Sequence, residues 1–293
     1  MKLEASVRVN LKNQNHMMDK YKRKRNLGTG GFATVDLCIV NNGTIPLEEQ
    51  TLVAVKRIED VENITRAKEE AKILLKLNHR FIIKYLDNFI DSSGHFCIVM
   101  EYCEAGTLRE WLANLGNPLE EENIWRVIWQ LSSALTFLHG QEPPILHNDL
   151  KPSNILCKTN SAKDGIDMKI SDFGLSDILG KTPSATYYHS TLPNRGFTWL
   201  YASPEVLRRE SHIGTSADMW SLGAVIVFIA NDRTHLFESK EAVLSWTGGK
   251  TPLGRELNQV LHDLVLSLLH PDKHLRITAH QTLNECSSHP ERF

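Results

Sequence analysis

Apolar residues recur along this chain with two periods, and the change between them divides it. From Tyr21 to Ile58 the pattern alternates as strands do: a run into Gly28-Thr-Gly-Gly31, then Ala33 to Val40, then Thr51 to Lys56, with Asn41-Asn42-Gly43 opening a polar loop. Residues 63–77 switch to helical spacing, with Ile64, Ala67, Ala71, Leu74 and Leu75 three or four apart. Strands are expected again at Ile83 to Ile90 and His95 to Glu101, joined by the turn Asp91-Ser-Ser-Gly94. Beyond Gly106 the pattern is mostly helical. Leu108 to Leu115 stops at Gly116, Glu121 to His139 carries a long apolar face, and Ser216 to Ala230 is apolar on every side. Helical spacing at Leu257 to Leu269 and Thr278 to Cys286 completes the series. The first 19 residues are polar and aperiodic and read as a tail. The expected layout is a small β-rich part with one helix, followed by a larger helical part.

Composition narrows the classes. The chain has 293 residues, 41% hydrophobic and 23% charged, enough to bury a full core without covalent staples. Its 33 basic and 35 acidic residues nearly cancel, so no overall field draws nucleic acid or anionic lipid, and neither is expected as a partner. Five cysteines without a Cys-x-x-Cys pair argue against a disulfide framework or zinc knuckle and for a reducing compartment. The start, MKLEASVRVN, lacks the apolar core of a secretory signal. The longest apolar run, Leu222 to Ala230, is too short to span a bilayer. A soluble protein of the cytoplasm is expected. Lys20-Tyr-Lys-Arg-Lys-Arg25 has the composition of a nuclear-import signal, which makes the nucleus the second option, but it coincides with the first strand.

Three clusters carry chemistry. The glycines of Gly28-Thr-Gly-Gly31-Phe32-Ala33 let backbone amides approach a phosphate closely, although most such turns between strands are plain hairpins. No helix opens here, which argues against a dinucleotide fold, and Ala33 stands where G-x-G-x-x-G has its last glycine. Lys56 interrupts the apolar strand Val53-Ala-Val-Lys56. It is either a lysine that snorkels to water or an ammonium held by a carboxylate, for which Glu70 on the next helix is the candidate. The richest stretch is Ile145-Leu-His147-Asn148-Asp149-Leu150-Lys151-Pro-Ser-Asn154-Ile-Leu156. There, apolar pairs flank a loop whose charges are costly to bury unless a ligand or metal meets them. Downstream, Met168-Lys-Ile-Ser-Asp172-Phe-Gly174-Leu175 is a short strand ending in a second aspartate.

With these clusters in order, the chain from about Tyr21 to Glu285 resembles a eukaryotic protein kinase. The same order continues through Ser203-Pro-Glu205, Asp218-Met-Trp-Ser-Leu-Gly223 and Arg276, and Lys151 and Thr198 match the serine/threonine class. The resemblance implies an α+β, bilobal kinase fold. An antiparallel β-rich N-lobe with one helix (20–103) would precede a larger, mainly helical C-lobe (104–285), with tails at 1–19 and 286–293. It implies an ATP-dependent enzyme that uses Mg2+ and phosphorylates serine, less readily threonine, in protein substrates, with a regulatory partner protein allowed. Lys56 would grip the α/β-phosphates, oriented by Glu70. Asn154 and Asp172 would hold the metal, Asp149 would accept the proton of the substrate hydroxyl, and Lys151 would steady the γ-phosphate. Leu27, Gly28, Gly30, Val35, Ala54 and Leu156 would line the nucleotide, with Met100, Glu101 and Cys103 along the hinge.

On the same template Leu74, Leu86, His147 and Phe173 would stack in a column anchored by Asp218, and Glu205 would pair with Arg276. Trp125 and Trp129 are expected to pack a helix, and the thirteen histidines show no metal-ligand spacing. Ala33, Asn148 and Ser203 depart from the family pattern. Two rivals stay open: a pseudokinase that binds nucleotide or partners without turnover, and a small-molecule phosphotransferase, which usually lacks a Pro-Glu segment. Thr107 and Phe228 stand where arginine-directed kinases often carry glutamate, so no strong demand for arginine is expected. Asn148 replaces the arginine that in most members pairs with a phosphate on the activation segment. Activity independent of such phosphorylation is therefore expected, even though the segment offers Thr182, Ser184, Thr186, Ser190 and Thr191, and Arg195 as a substitute cation.

Overall fold

A computed structural model describes residues 20–30, 33–41, 51–60, 63–160, 165–178, 199–249, 253–254 and 256–288. The N-terminal tail, Gly31, the Asn42-Gly43 turn, the five segment hydroxyls, Arg195 and Thr198 lie outside the described residues. The fold is α+β and divides into two compact units, residues 1–79 with 83–103, and residues 80–82 with 104–293.

The first unit is one antiparallel sheet and a helix. Strands β1 (Tyr21–Thr29), β2 (Ala33–Val40), β3 (Leu52–Ile58), β4 (Tyr85–Ile90) and β5 (Phe96–Glu101) lie in the order β1-β2-β3-β5-β4. Alternation gives each face its own residues. Cys38, Val53, Val55, Phe89, Cys97 and Val99 pack together on one face. Burial first, and then the nearby Asp36 and Asp91 carboxylates, push the Cys38 and Cys97 thiols up to about 11 and about 12, so both are inert hydrophobes at neutral pH. The register Val35↔Lys56↔Ile98 and Ala54↔Met100 puts Val35, Ala54, Lys56 and Met100 together on the opposite face.

Helix α1 (Ile64–Leu74) buries Ala67, Glu70, Ala71, Ile73 and Leu74. Two expectations fail here for the same reason, a one-residue step. Leu75 is exposed because the helix ends at Leu74 and the buried stripe is completed by Ile73. The fourth strand starts at Tyr85, not Ile83, and a register shift between Tyr85↔Met100 and Asp87↔Val99 leaves Leu86 as the extra residue, 41% exposed, while Tyr85 is half-buried. Leu86 therefore cannot belong to an internal column.

The second unit is mainly helical: α2 (Leu108–Leu115), α3 (Glu121–His139), α4 (Pro204–Leu207), α5 (Ser216–Ala230), α6 (Lys240–Leu244), α7 (Gln259–Leu268) and α8 (Ala279–Ser287). Two short ladders pair β6 (Ile145–Leu146) with β9 (Asp177–Ile178), and β7 (Ile155–Thr159) with β8 (Ile166–Ile170). Helix α5 is buried from Ala217 to Ala230, as an all-apolar helix must be. Its Gly223 permits a close approach to the end of α7: a Cβ there would lie 2.9 Å from Leu269 Cγ and 3.0 Å from Leu268 Cβ.

Residues 80–82 join this unit rather than the strand that follows them. Arg80 forks onto Asp167 with two bonds of 2.9 Å, Phe81 meets the edge of Trp129 at 5.4 Å, and Ile82 bridges to Ile170. Trp125 is likewise buried in α3, so both tryptophans serve packing.

The expected Glu205–Arg276 pair is present and fully enclosed, with Nη1–Oε1 at 2.7 Å and Nη2–Oε2 at 3.2 Å. Arg276 also donates to the carbonyls of His270 and Ser216 and lies over Trp220, so the charge has partners on every side. Removing one member of such a pair costs about 3–5 kcal/mol by stranding the other.

Asp218, in the first turn of α5, is completely buried and accepts three hydrogen bonds. They come from the His147 N–H at 2.9 Å, the Asn148 N–H at 2.8 Å and His139 Nε2 at 2.9 Å. Burial alone would raise its pKa. The His139 hydrogen bond, the two imidazoles and the His147 N–H outweigh that and hold the carboxyl below its ordinary value. A depressed carboxylate contributes stability that is fully present above its unfolded pKa, about 3.9, and is lost as pH falls through the lower folded value. Asp218→Asn is expected to destabilise the protein by about 2–4 kcal/mol at neutral pH, since one buried donor loses its acceptor. Urea titration of both proteins should show this gap narrowing as the medium is taken below about pH 4.

Candidate active site

In the first unit, the sheet face opposite the cysteine cluster carries the lysine that interrupts β3. Lys56 Nζ lies 2.8 and 2.9 Å from the two carboxylate oxygens of Glu70. Their side chains are 15% and 4% exposed, so the ammonium is held by a carboxylate and does not snorkel. Glu70 lies on the buried stripe of α1. Leu27, half-buried, is the extra residue of a bulge between Asn26↔Asp36 and Gly28↔Val35, beside the face that carries Val35 and Ala54. Among the described residues a Cβ on Gly28 would meet nothing within 4 Å, and one on Gly30 only the Ala33 carbonyl at 3.7 Å. None of the described residues requires glycine at either position. The space they leave suits a group from outside the chain. Met100 and Cys103 are buried at and beyond the end of β5, and the Glu101 N–H is committed to the Lys84 carbonyl.

In the second unit, the loop after β6 is built by hydrogen bonds to backbone. Besides its bonds to Asp218, His147 is wholly buried and accepts the Asp149 N–H at Nδ1, 3.3 Å. The proton is therefore on Nε2, which donates to the Ser171 carbonyl at 2.9 Å, and the ring stands edge-on to Phe173 at 5.0 Å. Asn148 adopts a positive φ of 66°, a strained conformation that Asn tolerates better than most residues. Its Nδ2 donates to the Leu175 carbonyl at 3.2 Å, which ties the loop to the segment after Asp172.

Asp149 is held by one oxygen. Lys151 Nζ at 2.7 Å and Asn154 Nδ2 at 2.8 Å both donate to its Oδ2. Among the described residues Oδ1 accepts no hydrogen bond, which leaves it as the atom able to take a proton. Asn154 Nδ2 also donates to the Asp149 carbonyl, so the amide is fixed and Oδ1 of Asn154 is the oxygen it can present to a cation. The Asn154 carbonyl accepts from both the N–H and the hydroxyl of Ser171, the residue before Asp172. Asp172 is itself strained at φ 62° and exposed between buried Ser171 and Phe173. Two hard oxygen donors are thus tied to neighbouring backbone at the ends of the β7–β8 ladder, which fits Mg2+ and not a thiolate-preferring metal. Leu156 belongs to this unit, half-buried and bridged to Thr107.

A cavity below the loop is lined by Asn148, Asp149, Tyr201, Ser203 and Ser221 among others. Two of the three departures from the family pattern, Asn148 and Ser203, thus share one wall.

Sequence reasoning missed two supports. His139 steadies Asp218 from the end of α3, where a histidine looks like an ordinary partner for the helix dipole. Gln130 accepts the Met168 N–H and donates to the Ile166 carbonyl at 2.9 Å, which fixes β8. Its polar side chain on the buried stripe of Glu121 to His139 was the signal that could have found it.

Comparison with known proteins agrees with this geometry. The protein kinase domain family matches residues 21–286. A probable serine/threonine-protein kinase zyg-1 of Caenorhabditis briggsae is 29% identical over 89% of this chain and 33% of its own length. CDPK-related kinase 4 of Arabidopsis thaliana is 31% identical over 90% of this chain and 44% of its own. Serine/threonine-protein kinase tousled-like 2 of Mus musculus is 34% identical over 71% of this chain and 29% of its own. The chain therefore spans about a third to under half of these relatives' lengths. With nearly all of it matched, and with Lys56–Glu70, Asp149, Asn154 and Asp172 in the family's order, the chain belongs to the protein kinase family.

Proposed function

We propose that this chain is an ATP-dependent serine/threonine protein kinase. The observation that carries the proposal is the anchoring of Asp149 through Oδ2 by Lys151 and Asn154, with Oδ1 left to receive a proton. A pseudokinase has no use for that arrangement. Mg2+ bound with ATP supplies charge neutralisation at the transferring phosphoryl group, and the protein's part is positioning and electrostatics.

In this proposal Lys56, oriented by Glu70, grips the α/β-phosphates. Asn154 and Asp172 hold the metal. Asp149 orients the substrate hydroxyl and takes its proton, and Lys151 turns from Asp149 toward the γ-phosphate. Leu27, Gly28, Gly30, Val35, Ala54, Met100, Glu101, Cys103 and Leu156 receive the nucleotide. Serine is preferred as acceptor because the bulk of Leu175 crowds the extra methyl of threonine. Matched serine and threonine peptides test that preference, and faster threonine turnover would refute it. The cytoplasm, with the nucleus second, is its proposed place of work, and its regulation is proposed to come from a partner protein, the N-terminal tail or expression.

Lys56→Met and Asp172→Ala should each abolish phosphoryl transfer while thermal unfolding stays cooperative, since each removes a charge that the transition state needs. Residual turnover above about a tenth of wild type, a loss of only about 1.4 kcal/mol, would refute the assignment. Asn148 already ties the loop to the Leu175 carbonyl without a phosphate. Enzyme stripped by phosphatase, with the bare segment confirmed by mass, should therefore keep its turnover. A fall of about a hundredfold, near 2.7 kcal/mol, would mean that another cation reads a phosphate there.

A further inference from the structure

Beside the candidate site, on the same unit, stands a cationic and aromatic cluster that none of the chemistry above uses. Arg109, exposed in the first turn of α2, places its guanidinium carbon 5.2 Å from the centre of the buried Phe228 ring. Phe228 meets His235 at 5.1 Å and Tyr201 at 6.4 Å, and the Tyr201 hydroxyl lies 3.2 Å from His235 Nδ1. Burial, and then the charge of Arg109, hold the His235 pKa below its ordinary value, so the ring is neutral and Nδ1 accepts the tyrosine proton. Burial pushes the Tyr201 hydroxyl up, more than Arg109 lowers it, so the phenol stays protonated. The charge of the cluster is that of Arg109 alone.

That charge is not neutralised from within. Glu110, the next residue, gives its carboxylate to the Thr107 N–H at 2.8 Å and hydroxyl at 2.9 Å in the cap of α2. Asp232 pairs with Arg233 at 3.0 Å, and Arg233 also donates to the Leu112 carbonyl. Among the described residues no carboxylate lies within ion-pair distance of Arg109. Stacking on Phe228 and a hydrogen bond to Tyr201 restrain the planar guanidinium, and the exposed side chain keeps further N–H groups for a carboxylate.

Tyr201 connects this cluster to the chemistry. It lines the cavity that Asp149 also lines, and its carbonyl is fixed by the Ser221 hydroxyl at 2.8 Å. The cluster is thus one aromatic side chain away from the cavity under Asp149. An extended peptide advances about 3.3 Å per residue, so a side chain flanking the acceptor hydroxyl can approach Arg109.

We propose that Arg109 is a specificity-determining residue that selects polypeptide substrates carrying an aspartate or glutamate close to the phosphorylated hydroxyl. This rests on the kinase function proposed above and names its substrate class: acidic peptides. Phe228 holds the guanidinium, and Tyr201 and His235 keep that ring in place.

The test uses one serine peptide series with Glu, Gln or Lys placed in turn at each position flanking the serine. Turnover is measured alongside binding of matching alanine peptides by fluorescence anisotropy. At the selected position, wild type should favour Glu over Lys by about tenfold or more in kcat/KM, with the difference in KM, as for a charge-assisted pair. Arg109→Gln should bring the Glu-to-Lys ratio close to one, Arg109→Glu should invert it, and Arg109→Lys should restore much of it, which a purely structural role would not do. Equal use of Glu and Lys peptides by wild type, or a preference that survives Arg109→Glu, overturns the inference and leaves the kinase function standing. Glu-selective binding lost in Arg109→Glu, in a protein that phosphorylates none of the peptides, upholds the acidic site and overturns the kinase function.

Discussion

One buried carboxylate organises the second unit. Asp218 sits in the first turn of a helix with no polar surroundings of its own, and its two oxygens take the N–H groups of His147 and Asn148 together with His139. A buried anion is costly unless every lone pair finds a donor, and here two of the three donors are backbone amides that no side-chain substitution can remove. From that point the constraint passes outward. His147 grips the Ser171 carbonyl, Ser171 grips Asn154, and Asn154 grips Asp149. The strained φ angles of Asn148 and Asp172 fall on this chain, where the surrounding bonds over-determine them. The charge at the end of the chain, Asp149, is therefore placed by the packing of α5 together with His147, Lys151 and Asn154 beside it in sequence.

Much of this is legible in the sequence. Period-two alternation predicted β2, β3 and β5 and so the face shared by Val35, Ala54, Lys56 and Met100, because a strand's pleat leaves no other choice once one face is filled. Helices α2, α3, α5 and α8 lie at or within a residue or two of the expected bounds, marked by Gly116 and by apolar spacing. Lys56 with Glu70, and Glu205 with Arg276, came from motif order and not from pattern, since partners 14 and 71 residues apart leave no periodic trace.

What stayed hidden has a common cause. Leu86 and Leu75 are apolar residues one step off a buried register, and composition cannot distinguish them from Tyr85 and Ile73. Residues 80–82 fall between a helix and a strand of the first unit, yet Arg80–Asp167 and Ile82–Ile170 bind them to the second. His139 and Gln130 look like a helix terminus and a stray polar residue until their partners, 79 and 36 residues on, are known. Local physics writes the elements, and long-range polar contacts decide which of them carry the site.

The central claim is that Asp149, anchored through one oxygen, accepts the proton of a substrate hydroxyl. The most direct measurement is transfer of labelled γ-phosphate from ATP to serine peptides by the purified chain, with Asp149→Asn run in parallel at equal nucleotide occupancy. The account predicts transfer by the wild type and a fall of about a hundredfold or more in the variant, the range expected on losing a general base. Transfer that persists unchanged in Asp149→Asn, or a wild type that binds ATP with Mg2+ and transfers nothing, would contradict it.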